Sequence, residues 1–301
     1  MRDKLAGILP PIPTPFNSAG QVDQRALAEN VRRWMTTGLS GILALGSNGE
    51  AALLEDDECD AILATVREGV PAGRLLLAGT GRESTRATIA ASKRAARLGA
   101  DAVLVRPPFF FKTQMTGDAL VAHFSAVADA SPVPLLLYNL PGVTGITLTL
   151  PVVATLADHP NIVGMKETSG DLERLGQFAQ VRPDKFRVLC GWAPVVYPAL
   201  VSGAAGAILA VANVWPDACV TLYEHVRAGR HADALALQQR LTPLAQLVTS
   251  VYGIAGLKVA LELEGYQGGP VRAPLLPATA AGREDIARAL AARPQAIGAG
   301  R

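Results

Sequence analysis

Eight short runs of apolar residues, each followed by a stretch with helical spacing, dominate the first 215 residues of this 301-residue chain. Most runs are apolar throughout, which is typical of parallel strands covered on both faces. They span residues 7–12, 41–45, 74–78, 101–105, 133–138, 161–166, 186–190 and 206–210. Alternating strands and helices predict an α/β fold, and eight strands favour a closed (β/α)8 TIM barrel. An open sheet stays the second choice, because periodicity does not reveal closure.

The chain beyond residue 215 carries helical patterns but no further strand pattern, and no Ser/Gly-rich linker precedes it. We therefore predict a barrel over residues 1–215 and a C-terminal helical extension over residues 216–301 that packs on it. Residues 188–216 lack charged side chains and are long enough to span a bilayer. Because prolines and glycines interrupt this stretch, we interpret it as strand, short helix and strand, and expect no membrane association.

Composition excludes several classes of function. The net charge is only +2, from 28 basic and 26 acidic residues, and no basic run supports nucleic-acid binding. Cys59, Cys190 and Cys219 are far apart, which disfavours a disulfide framework or a zinc site and indicates a reducing cytoplasm. The four histidines are scattered, and neither an HExxH motif nor a nucleophile elbow is present. We therefore predict no metal site.

A lysine closes the sixth apolar run, where a barrel places its catalytic groups. Lys166 follows four apolar or small residues, Ile162-Val163-Gly164-Met165, and burial would lower its pKa, so that it could attack a carbonyl and form a Schiff base. The alternative is a structural ion pair with Glu167 or Glu50. The residues alone leave these two interpretations about even.

Two further strand ends carry polar groups. Tyr138 ends the fifth run, where its phenol could relay protons to an imine, although a packed tyrosine at the barrel rim is the simpler interpretation. After the second run, Gly46 and Gly49 flank Ser47 and Asn48. Such a turn can expose backbone N–H groups and bind an anion, or it can serve only to reverse the chain.

Three motifs together resemble the dihydrodipicolinate synthase/N-acetylneuraminate lyase family of class I pyruvate aldolases. They are Gly46-Ser-Asn-Gly-Glu50, Tyr138-Asn-Leu-Pro-Gly-Val-Thr-Gly145 and Gly164-Met-Lys-Glu-Thr-Ser-Gly-Asp171. The resemblance covers nearly the whole chain and implies a (β/α)8 barrel with added C-terminal helices, usually assembled as a homotetramer, with a homodimer as the alternative.

The resemblance also implies roles for individual residues. Lys166 would form an imine with pyruvate or another 2-oxo acid, with Tyr138 as its acid/base partner and Ser47 assisting. The substrate would be bound by Gly46, Ser47, Asn48, Thr168, Gly191 and Ile208. The covalent lysine imine would replace a cofactor, and the partners would be pyruvate and an aldehyde.

Departures from the family pattern bear on the substrate. Val143 stands where dihydrodipicolinate synthases carry an arginine for the aldehyde's carboxylate. The Ser47-Asn48 pair, together with the motif that runs from Gly265 to Pro274, is more similar to 4-hydroxy-2-oxoglutarate aldolase, which yields pyruvate and glyoxylate. We therefore expect a 4-hydroxy-2-oxoglutarate aldolase-like lyase. Dihydrodipicolinate synthase-like condensation, dehydration of a 2-oxo sugar acid and a catalytically inactive 2-oxo-acid-binding barrel are the alternatives.

The segment after the fourth run differs as well. Phe109 aligns with a tyrosine that many relatives use in a proton relay, and phenylalanine cannot carry a proton. Arg106 ends the fourth strand where relatives have a small residue. We hypothesise that Arg106 binds the distal carboxylate of the substrate; the alternative is that it pairs with a local Asp or Glu and orders the loop.

Overall fold

A single parallel sheet forms the centre of the protein, whose computed structural model describes residues 1 and 4–293. The strands are β1 (Gly7–Leu9), β2 (Gly41–Ala44), β3 (Leu75–Gly79), β4 (Ala102–Val105), β5 (Leu135–Asn139), β6 (Ile162–Glu167), β7 (Arg187–Cys190) and β8 (Gly206–Ile208). Their order is β1-β8-β7-β6-β5-β4-β3-β2. Each strand lies within or overlaps one of the eight predicted runs.

The two ends of this order meet at an isolated bridge. Pro11 pairs with Leu43 in parallel, the Leu43 N–H donates to the Pro10 carbonyl at 3.0 Å, and the Ile12 N–H donates to the Leu43 carbonyl at 2.9 Å. The sheet therefore curls into a nearly closed barrel, and the predicted TIM barrel is confirmed.

Helices surround the barrel. Those before the last strand are α1 (Gln24–Met35), α2 (Asp56–Gly69), α3 (Thr85–Arg97), α4 (Gly117–Ala130), α5 (Pro141–Thr144), α6 (Leu150–Ala157), α7 (Leu172–Ala179) and α8 (Val196–Val201). Several begin at a side-chain cap, as in α1 and α7, where Asp23 and Asp171 accept the N–H of the residue three positions on. These caps explain why the helices begin directly after the strand-end loops.

Four α-helices follow β8 in the described part of the chain: α9 (Pro216–Arg227), α10 (His231–Gln246), α11 (Gly253–Leu263) and α12 (Ala280–Ala291). Helix α9 contacts β1 and α8, so it takes the place of the eighth barrel helix. The division between residues 215 and 216 stays a prediction, and residues 294–301 of the predicted extension lie outside the described residues. In the described part of the chain, no helix has the length and hydropathy needed to cross a bilayer.

Two apolar clusters fill the structure because each strand is buried on both faces. One lies inside the barrel and the other between the strands and the helices. The inner cluster consists of Leu5, Leu9, Leu43, Leu75, Leu77, Ala102, Leu104, Leu136, Tyr138, Leu140, Val163, Leu189 and Ile208. The barrel is therefore a packed core, which leaves chemistry to the ends of the strands.

Candidate active site

The register between β5 and β6 brings the two principal candidates together. Leu135 pairs with Ile162, but the next pair is Leu136 with Gly164, so one extra residue, Val163, lies in β6. After this bulge, Tyr138 is directly opposite Lys166. Without it, Tyr138 would face Met165, which packs in the outer cluster. The bulge therefore turns the lysine toward the tyrosine.

Lys166 is 5% exposed, and its Nζ donates to the Tyr138 Oη at 3.1 Å. The same Nζ lies 4.5 Å from the centroid of the Tyr138 ring. Within the described residues Lys166 forms no ion pair. The Glu167 carboxylate instead accepts hydrogen bonds from Asn139 Nδ2 and the Ser169 N–H, both at 2.6 Å. The amine is thus buried next to a phenol and is not neutralised by the carboxylates that the sequence offered as structural partners.

Ser47 extends this contact toward the cavity. Its Oγ lies 3.3 Å from the Tyr138 Oη, so Ser47, Tyr138 and Lys166 form a continuous chain of polar atoms. The turn that carries Ser47 is bounded by Leu45 and Glu50, both at φ 56°, a left-handed conformation that is uncommon for residues with a side chain. Such strain is found where a fold must hold a functional group in one place.

Gly191, at the end of β7, leaves space for the lysine side chain. A Cβ at this position would lie 2.9 Å from Lys166 Cε and 2.2 Å from Thr168 Oγ1. The Thr168 hydroxyl is buried and has no hydrogen-bond partner among the described residues. Gly191 and Thr168 are therefore adjacent to the Lys166 side chain, whereas Ile208 is fully buried in the inner cluster with Tyr138.

A cavity of about 670 Å³ opens beside this chain of polar atoms. Of the predicted site residues, Gly46, Ser47, Tyr138 and Arg106 line it, whereas Lys166, Asn48, Thr168, Gly191 and Ile208 are not among its lining residues. Much of the remaining wall is apolar, including Leu45, Leu104, Leu140, Val143, Ile254 and Leu275. The cavity is therefore larger than a three-carbon acid needs and offers room for a second reactant.

Arg106 lines the cavity, but its guanidinium is paired. Nη1 lies 2.7 Å from Glu83 Oε1, and Glu83 Oε2 accepts the N–H groups of Phe109 and Phe110 at 2.9 Å each. Partial burial opposes ionisation of Glu83, but these donors outweigh it and hold the pKa of the carboxyl below its usual value. Arg106 thus orders the loop after β4, as the alternative for this residue states, and carboxylate binding stays a hypothesis.

Sequence reasoning missed a second buried lysine. Lys258 in α11 is 2% exposed and pairs with Glu50 at 2.6 Å, between Nζ and Oε1. Burial lowers the pKa of Lys258, although its bond to Glu50 acts in the opposite sense. The available signal was a single lysine on the apolar face of α11. Because its amine is paired with Glu50, Lys258 is a poorer candidate than Lys166 for the lysine that forms a Schiff base.

No three His, Cys, Asp or Glu side chains of the described residues form a group that could hold a metal ion. The cysteines Cys59, Cys190 and Cys219 are buried and free.

Comparisons with known proteins identify the family of the chain. The model of the dihydrodipicolinate synthetase family matches residues 4–293. A 4-hydroxy-tetrahydrodipicolinate synthase from an Exiguobacterium species is 35% identical over 284 residues, which is 94% of this chain and 96% of the relative. The enzyme of the same name from Xanthomonas campestris is 39% identical over 92% of this chain and 91% of its own length.

Two solved structures extend the comparison. A dihydrodipicolinate synthase from Bacillus anthracis superposes with a TM-score of 0.92 at 27% identity, covering 97% of this chain and 99% of the other. A prophage protein of the dihydrodipicolinic acid synthase family from E. coli K12, solved in complex with pyruvate, has a TM-score of 0.89 at 32% identity, with 95% and 97% covered. On this match in sequence and fold, the chain belongs to the dihydrodipicolinate synthetase family and is a carbon–carbon lyase.

Proposed function

We propose that Lys166 forms an imine with pyruvate and that the protein makes or breaks a carbon–carbon bond at the methyl carbon of that imine. The observation that carries this proposal is the chain of contacts from Lys166 Nζ to Tyr138 Oη at 3.1 Å and on to Ser47 Oγ at 3.3 Å. It joins a buried amine to a proton-transferring phenol and to the edge of the cavity.

The reaction follows from these groups. The neutral amine of Lys166 attacks the C2 carbonyl of pyruvate, and water leaves to give the imine. Loss of a proton from C3 forms the enamine, whose C3 attacks the aldehyde carbon; cleavage is the reverse. Tyr138 transfers protons during imine formation and release, and backbone N–H groups of the turn at Ser47 and Asn48 hold the pyruvyl carboxylate. The imine itself withdraws electrons, so we propose no metal or organic cofactor.

Two candidates remain for the second reactant. The names of the curated relatives support condensation of pyruvate with aspartate semialdehyde, the reaction that the motifs made an alternative. Val143 counts against this condensation, because the residue lines the cavity, is 63% exposed and offers no charge to a semialdehyde carboxylate. The Ser47-Asn48 pair favours 4-hydroxy-2-oxoglutarate cleavage as the second candidate. The first candidate is better supported by the relatives. The second rests on the departures within the site.

Borohydride trapping tests the imine. Reduction in the presence of pyruvate should add the mass of the reduced adduct to the peptide that carries Lys166, and Lys166→Met should abolish the label. A label on Lys258 or on no lysine would reject the mechanism. Lys258 is the matched comparison, because it is the other buried lysine among the described residues.

Product analysis then assigns the reaction. Wild-type protein is incubated with pyruvate plus aspartate semialdehyde, with 4-hydroxy-2-oxoglutarate, and with a 2-oxo sugar acid. Formation of the cyclic condensation product identifies synthase activity. Release of pyruvate together with glyoxylate identifies aldolase activity, and loss of water from the sugar acid identifies dehydratase activity. Imine trapping without turnover of any of these would support the inactive, 2-oxo-acid-binding alternative.

Arg106 belongs to the same proposal, since an anionic partner needs a cation in the cavity. We propose that Arg106 can exchange Glu83 for a substrate carboxylate, which it would bind in a bidentate manner. Arg106→Ala should then reduce activity much more for an anionic aldehyde than for an uncharged one of similar size. An equal loss for both would leave Arg106 with only its loop-ordering role.

Two further properties are part of the proposal. We propose a homotetramer or homodimer, in line with the family resemblance, and a cytoplasmic location, in line with three free cysteines. Light scattering of the purified protein and fractionation of the source cells would measure these directly.

A further inference from the structure

A buried ion pair links the C-terminal helix α11 to the turn that carries Ser47. The side chains of Lys258 and Glu50 are 2% and 0% exposed, and Nζ lies 2.6 Å from Oε1. Nζ also donates to the Pro270 carbonyl at 2.7 Å and lies 4.5 Å from the centroid of the Phe16 ring. The amine therefore has a defined position before any substrate binds.

The second oxygen of Glu50 is held as well. Oε2 accepts the N–H of Arg272 at 2.8 Å. The Arg272 guanidinium makes a bidentate pair with the Glu58 carboxylate, both contacts at 2.6 Å, and donates to the Leu53 carbonyl at 2.9 Å. Both carboxylate oxygens of Glu50 are thus held by residues of the C-terminal extension, Lys258 and Arg272. Arg272 also binds Leu53 and Glu58, which follow the turn in the sequence.

The backbone of Glu50 transmits this restraint to Ser47. Glu50 ends the turn at φ 56°, and its N–H donates to the Ser47 carbonyl at 3.0 Å. On the other side, the Thr14 Oγ1 donates to the Gly49 carbonyl at 2.7 Å. Since a left-handed residue with a side chain is strained, the conformation persists only where surrounding contacts impose it. The buried pair is one such contact.

From these contacts we infer that Glu50 and Lys258 are positioning residues for the reaction: they hold the turn so that Ser47 reaches Tyr138 and the backbone at Ser47 and Asn48 meets the substrate carboxylate. The inference rests on the proposed function. It assigns a catalytic consequence to the C-terminal helices, which lie outside the barrel and contribute no group to the imine chemistry.

The test uses Lys258→Met, which keeps the length of the side chain and removes its charge. The pyruvate concentration that half-saturates borohydride labelling of Lys166 should rise roughly 10- to 100-fold, as expected when a charge-assisted hydrogen bond to the substrate carboxylate is lost. The labelling rate at saturating pyruvate should change much less. Lys258→Arg, which keeps the charge, should recover part of the loss.

The matched control is Arg283→Met. Arg283 pairs with Glu262 at 3.1 Å between α12 and α11, and both side chains are about half exposed, so this change disturbs the same extension without touching the turn. Arg283→Met should leave the half-saturating pyruvate concentration unchanged. A purely structural role for Lys258 would lower the melting temperature of Lys258→Met and leave the half-saturating pyruvate concentration of its folded fraction at the wild-type value, which would overturn the inference.

An unpaired buried charge can prevent folding, so a second variant is needed. Glu50→Gln/Lys258→Met removes both charges; a raised half-saturating concentration supports the inference, and a wild-type value overturns it. The two proposals fail differently. Wild-type protein that takes no label with pyruvate rejects the proposed function, whereas labelled wild type with unchanged variants rejects only the positioning role.

Discussion

Replacing Gly191 by alanine should disable the site while sparing the fold. The added Cβ would lie 2.9 Å from Lys166 Cε, and carbon atoms in contact normally stand about 3.5–4.0 Å apart, so Cε must move by roughly 0.6–1.1 Å. A displacement of about 1 Å at a reacting group costs on the order of 10²-fold in rate. We therefore expect the rate of imine trapping at Lys166 to fall about 100-fold.

The Gly191→Ala substitution should change the free energy of unfolding far less than it changes the trapping rate. The obstacles nearest to the new methyl group are the side-chain atoms Lys166 Cε and Thr168 Oγ1, with the Glu167 carbonyl next at 3.1 Å. Overpacking a core typically costs ~1–3 kcal/mol, and we expect the lower end here, because side chains yield more readily than backbone. Thermal unfolding measures this cost, and borohydride trapping followed by mass spectrometry measures the rate.

Gly176→Ala is the matched control. Gly176 lies in helix α7, and a Cβ there would meet no atom within 4 Å. Alanine should stabilise that helix by about 0.5–1 kcal/mol and leave trapping unchanged. If Gly191→Ala trapped pyruvate at the wild-type rate, the packing of Gly191 against Lys166 would not matter to imine formation, and the proposed site would be wrong.

Three other outcomes follow from the same structure. Tyr138→Phe should lower turnover about 10²- to 10⁴-fold, the usual contribution of acid/base catalysis, with an unchanged circular dichroism spectrum; near wild-type turnover would remove the tyrosine from the mechanism. Val143→Arg should raise kcat/KM for aspartate semialdehyde roughly 10- to 100-fold, since a charge-assisted hydrogen bond contributes ~1.5–3 kcal/mol, and no gain would mean that residue 143 does not face that carboxylate. Burial lowers the pKa of His123 from 6.5 to about 4, so the unfolded chain takes up the proton first as pH falls. The free energy of unfolding should therefore decrease between pH 6.5 and 4, by up to ~3 kcal/mol, and His123→Gln should flatten that slope in denaturant titrations.

The strand pattern and the central lysine were accessible from local sequence. Fully buried parallel strands must be apolar along their length, so eight such runs were visible without coordinates. A lysine at the end of a buried run is costly to place there, which made Lys166 conspicuous. Its two interpretations, nucleophile or structural ion pair, stayed balanced until the family motifs were considered.

The partners of the charged groups were not accessible in the same way. Arg106 pairs with Glu83, 23 positions earlier, and Glu50 pairs with Lys258, which is more than 200 positions later. Both pairs depend on which loops and helices meet around the barrel. No spacing rule in the sequence predicts such a contact, because an ion pair requires only that two atoms come within a few ångströms.

The amino-acid sequence was sufficient for the fold class, for the strand ends that carry polar groups and for Lys166 as the candidate lysine, because these depend on local runs of apolar residues and on the polar residues that end them. Folding in three dimensions was needed for the rest. The one-residue bulge at Val163 aligns Tyr138 with Lys166, and the bridge between Pro11 and Leu43 closes the barrel. Register and closure arise from hydrogen bonds between strands that are distant in sequence, and a shift of one residue would turn the lysine to the opposite face of its strand.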